Sequence, residues 1–98
     1  MTDAELLAQV KTALFGSPAG TYRDALLTIY IQEVKAFMSD AGVSKATLDS
    51  SASVGCVVMG VSDLWNYEPG GTRFSEYFRQ RVTQLSTPGA SSAGGDGA

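Results

Sequence analysis

The sequence contains no histidine and one cysteine, Cys56. Without histidine the chain lacks the commonest general base and the commonest metal ligand. A single cysteine excludes an intrachain disulfide and any zinc site built from a cysteine cluster. Charge is sparse too, with 17% charged residues. Acids outnumber bases 10 to 7, and the net charge of −3 gives no basic footprint for free-standing nucleic-acid binding. No apolar run approaches the roughly 20 residues that a membrane span needs. Met1-Thr2-Asp3-Ala4-Glu5 is acidic where a secretory leader would be basic. Ninety-eight residues support one small domain. These exclusions leave an intracellular, non-catalytic domain that works by contact with other proteins.

The pattern that remains is helical. Thr2 and Glu5 form a capping box, and Leu6, Leu7, Val10, Ala13 and Leu14 make an apolar stripe behind it. Gly16-Ser17-Pro18-Ala19-Gly20 stops this helix. Thr21 is the expected cap of a long second helix over 22–41. Its stripe runs Tyr22, Leu26, Ile29, Tyr30, Val34, Phe37, Met38 and Ala41. Leu27 and Ile31 widen it beyond what one partner helix covers, so it faces two neighbours or includes a subunit interface. Gly42 and Val43 then suit a Schellman motif. Ser44 caps a short helical turn, and Asp49-Ser50-Ser51 is a second cap cluster.

From Ala52 the residues Val54, Val57, Val58, Val61, Leu64 and Trp65 recur with helical period. Valine favours strands, but strict alternation is absent, so the period predicts a helix. Gly55 and Gly60 each cost about 1 kcal/mol relative to alanine there. Both are therefore expected to face a closely approaching helix. Cys56 reads as a small apolar filler without a base to activate it. Glu68-Pro69-Gly70-Gly71 is a turn, and Ser75 caps a last helix with Phe74 as its staple residue. The fold expected is all-α: a bundle of four main helices plus one short helical turn, over residues 1–85. Residues 86–98, rich in Gly and Ser, form an extended C-terminal arm with nothing to bury.

No catalytic constellation is visible. The serines have no histidine partner, and Asp63 and Glu68 read as solvated helix-end and turn acids. Gly70-Gly71-Thr72 is too short for a phosphate loop and lacks its lysine. No cofactor or metal is expected. Aromatics and arginines, the residues of interface hot spots, gather in the C-terminal third. Tyr67, Phe74, Tyr77 and Phe78 fall there with the only tryptophan, Trp65. Trp65 fits either a core or a contact position. Arg73, Arg79 and Arg81 add local positive charge, suited to a solvated face or a charged subunit contact.

The run GVSDLWNYEPGGTRFSEYFRQRVTQL resembles the C-terminal signature of small head–tail connector (adaptor, or head-completion) proteins of long-tailed bacteriophages. There a valine-rich helix ends in an Asp-Leu-Trp-Asn-Tyr stretch and passes through a Gly-Gly turn into a Tyr-Phe-x-x-Arg-Val helix. Asp63-Leu64-Trp65-Asn66-Tyr67, Gly70-Gly71, Tyr77-Phe78 and Arg81-Val82 carry the match here. Glu68-Pro69 departs from the Gly/Ser turn of that pattern. The resemblance implies a subunit of a ring, expected to match a twelve-fold portal, in the neck of a virion and assembled in the host cytoplasm. Its implied partners are copies of itself, the portal protein, and a stopper or tail-completion protein. DNA would pass through the channel without specific binding, and no membrane is involved. Candidate subunit or portal contacts are then Trp65, Asn66, Tyr67, Gly70, Gly71, Arg73, Phe74, Tyr77, Arg79 and Arg81. The candidate portal-docking arm begins Ser86, Thr87, Pro88, Gly89, Ala90, Ser91 and Ser92. The competing reading is a free-standing helical interaction module, such as a regulatory or antitoxin-like binder.

Overall fold

The computed structural model describes residues 2–67 and 73–87. It is all-α: α1 (Asp3–Phe15), α2 (Asp24–Asp40), the short α3 (Lys45–Asp49), a 3₁₀ turn (Ser51–Ser53), α4 (Val54–Trp65) and α5 (Glu76–Ser86). No strand occurs among the described residues. Central α4 packs against α1, α2 and α5. Its Val57 and Val61 are completely buried, which outweighs the modest helix propensity of valine.

The helix ends follow local chemistry. Thr2 Oγ1 accepts from the Glu5 N–H at 3.1 Å, and Glu5 Oε1 accepts from the Thr2 N–H at 2.8 Å. Gly16 closes α1 at φ 78°, where a side chain would be strained. At the end of α2 the Val43 N–H reaches the Met38 carbonyl and the Gly42 N–H the Ser39 carbonyl, both at 3.0 Å. This is the Schellman pair, and Val43 and Met38 are both in the core. Ser44 and Ser75 cap α3 and α5 as expected.

Four expectations need correction. First, α2 begins at Asp24, and Thr21 is not its cap. Lys11, on the inner face of α1, holds the entry: its Nζ lies 2.8 Å from Asp24 Oδ1 and donates to the Gly20 carbonyl. Tethered at both ends, residues 20–24 form a turn in which the Asp24 N–H bonds the Thr21 carbonyl. Second, the core stripe of α2 is Leu27, Ile31, Val34 and Met38, whereas Tyr22, Leu26 and Ile29 are exposed. The two stripes interleave on one helix, and only the neighbouring helices decide between them. Third, the glycines of α4 differ. A Cβ on Gly60 would stand 2.7 Å from a Phe78 ring carbon and 2.8 Å from a Val34 methyl, whereas one on Gly55 would meet open space. The helical part also extends one residue beyond the expected boundary, because Ser86 is the last residue of α5 and bonds the Thr83 carbonyl.

Candidate interaction surface

The resemblance-bearing run folds back on itself as an antiparallel pair, α4 and α5. Asp63 Oδ2 accepts from the Ser75 N–H at 3.0 Å and from its hydroxyl at 2.9 Å. Ser75 Oγ in turn accepts from the Phe78 N–H. One carboxylate on α4 thereby positions the cap of α5. One turn earlier on α4, Gly60 admits the Phe78 ring.

The candidate residues divide by what this pairing does to them. Phe74 is buried at 8% exposure, with ring centroids 4.9 Å from Phe37 and 4.7 Å from Phe78. Expected as a contact residue, it is a core residue, because the Ser75 cap turns it inward. Arg73 pairs with Glu33 of α2 at 2.7 Å and remains half exposed. Asn66 terminates α4, its Nδ2 donating to the Ser62 carbonyl at 2.9 Å. Arg81 is half-buried and donates to Gln84 Oε1. Tyr67, Tyr77 and Arg79 are exposed and free to meet a partner. Gly70 and Gly71 lie outside the described residues, as do Pro88, Gly89, Ala90, Ser91 and Ser92 of the proposed arm. Of that arm, Ser86 belongs to α5 and Thr87 is its C-cap.

Trp65 is half-buried, packed on one side and open on the other. Its ring meets Phe15 edge-on, with centroids 5.3 Å apart. The Arg23 guanidinium carbon lies 4.6 Å from the Phe15 ring, 4.6 Å from the Tyr22 ring and 5.4 Å from the Trp65 ring. All three distances are within cation–π range. The ends of α1 and α4 and the start of α2 thus build an aromatic cluster around an arginine. Tyr22 is 81% exposed there, and Leu26 and Ile29 extend the apolar surface along α2. The excess width of the α2 stripe had left a subunit interface open there; what the sequence did not show is that Tyr22, Leu26 and Ile29 are its exposed members and that Arg23 sits among the rings beside them.

Cys56 is 2% exposed, and burial pushes its thiol up to about 11, opposed only weakly by the Arg81 charge. Among the described residues no group of three or more Cys, Asp or Glu could hold a metal ion. No helix among them is long and apolar enough to cross a membrane. A shallow cleft between α1 and α2, lined by Asp3, Thr28, Ile31, Gln32 and Lys35, is bridged by the Lys35–Asp3 ion pair. Comparison of the chain with protein families, with curated proteins and with solved structures found no match.

Proposed function

We propose that this chain is a structural subunit of a phage neck: a head–tail connector that forms a ring on the portal and extends the DNA channel towards the stopper and tail. The reading rests on the motif resemblance over residues 60–85. The observation that carries it is the presence of two unlike, uncovered faces on one small bundle. One is the Arg23 aromatic cluster with Leu26 and Ile29, and the other is the outer face of α5 with Tyr77 and Arg79. A ring of head-to-tail contacts needs two different faces on each subunit. Exposed aromatic and arginine side chains are what such contacts use.

The net charge also suits a conduit. Twelve subunits at −3 sum to about −36, which repels phosphate and lets DNA slide. In this reading residues 88–98 are the portal-docking arm.

Mass spectrometry of purified phage particles from the source of this sequence tests the proposal. The expected result is the chain at ring stoichiometry in the particle, with heads that leak DNA or fail to join tails when it is removed. Absence from particles would overturn it and favour a free-standing interaction module.

A further inference from the structure

We infer that the Arg23 cluster is a docking site for a carboxylate of a second copy of this chain, and that Glu76, beside Tyr77 on α5, supplies it. This rests on the ring reading above and names the contact that would build the ring.

The receiving side is preorganised. Arg23 lies among the Phe15, Tyr22 and Trp65 rings, so little side-chain freedom remains to be lost on binding. Its guanidinium has no hydrogen-bond or ion-pair partner among the described residues. The adjacent acid, Asp24, is engaged by Lys11. A charged fork with unused donors is therefore presented within an apolar rim of Tyr22, Leu26 and Ile29, which are 81%, 42% and 55% exposed. Such a site selects a planar carboxylate carried next to an apolar side chain.

The chain carries that combination on α5. Glu76 is exposed in the first turn and has no ion-pair partner among the described residues. The next residue, Tyr77, is 70% exposed. The two patches do not pair within one molecule: no ion pair joins Arg23 and Glu76 among the described residues. On α4, Trp65 meets the α1 side and Asp63 meets the α5 side. Positions two apart on a helix differ by about 200°, so Asp63 and Trp65 point to opposite flanks of α4. Opposite flanks with complementary charge are the geometry of a head-to-tail contact.

The test is native mass spectrometry and sedimentation of the full chain from about 1 µM to 1 mM, for wild type, Arg23→Glu, Glu76→Arg and the double swap. Circular dichroism checks that each variant is folded. Expected are concentration-dependent oligomers of the wild type, about tenfold or greater weakening in each single variant, and recovery to within about threefold in the double swap. Wild-type association should also weaken as salt rises. Single variants that associate like the wild type overturn the contact. So does a double swap without recovery, which would place the Arg23 partner on another residue or protein. A wild type that is monomeric throughout overturns self-docking. The connector reading itself stands or falls separately, on presence in particles.

Discussion

Gly60 on α4 lies so close to Phe78 on α5 that the two helices meet where the glycine has no side chain. A Cβ there would come within 3.0 Å of the Phe78 ring and of both Val34 methyls, and Phe78 and Val34 are completely buried. Gly60→Ala is therefore expected to destabilise the domain by about 1–3 kcal/mol despite the better helix propensity of alanine. Gly55→Ala, into open space, is expected to stabilise it by about 0.5–1 kcal/mol. Urea denaturation of the two variants should shift the midpoint in opposite directions.

Asp63 carries the start of α5 through Ser75. Asp63→Ala removes the acceptor for two donors and is expected to cost about 1–2 kcal/mol. Ser75→Ala should cost about 1 kcal/mol through the lost cap. Because both act on one set of bonds, the double variant should lose less than the two effects added. Additive losses in a denaturant cycle would mean that the two side chains act separately.

The Lys11–Asp24 pair ties α1 to the start of α2. The lysine side chain is 9% exposed and the aspartate 29%. Lys11→Ala leaves a mostly buried carboxylate without its counter-charge, and a loss of about 2–3 kcal/mol is expected. Lys11→Ala combined with Asp24→Ala should recover part of that loss, which a thermal melt can read.

Burial makes Cys56 unreactive. With its thiol pushed up to about 11, only about one part in a thousand is thiolate at pH 8. Iodoacetamide at pH 8 should leave the native chain unlabelled by mass and modify it fully in denaturant. Native labelling at the rate of a free thiol would show that α4 and α5 separate readily.

Acid sensitivity has an identifiable source. The Thr2 N–H and hydroxyl hold the Glu5 carboxyl below its usual 4.5, and the Lys45 ammonium holds Asp49 below its usual 3.8. A folded-state value below the unfolded one means that the unfolded chain binds more protons. This stabilisation is present above pH 4.5 and is lost as pH falls through the lowered values. Glu5→Gln should therefore flatten the decline of stability between about pH 5 and 3. An unchanged slope would remove the capping box as its source.

The sequence by itself determined what depends on near neighbours along the chain. The capping box of Thr2 and Glu5, the caps Ser44 and Ser75, the glycine termini at Gly16 and Gly42, and the helical state of the valine-rich α4 all follow from residues within four positions of one another. Tertiary structure alone decided what depends on a partner far away. Leu27 and Leu26 are equally apolar, yet one is buried and the other exposed, because α4 and α1 cover only one side of α2. Gly55 and Gly60 read alike until Phe78 arrives at one of them. The candidate surface follows the same division. Exposed Tyr67 and Tyr77 were legible, Phe74 was misplaced by the inward turn at Ser75, and the Arg23 cluster was invisible because its three rings and charge come together only when three helix ends meet. Local hydrogen-bond geometry is written in adjacent residues, whereas burial is a property of the packed whole.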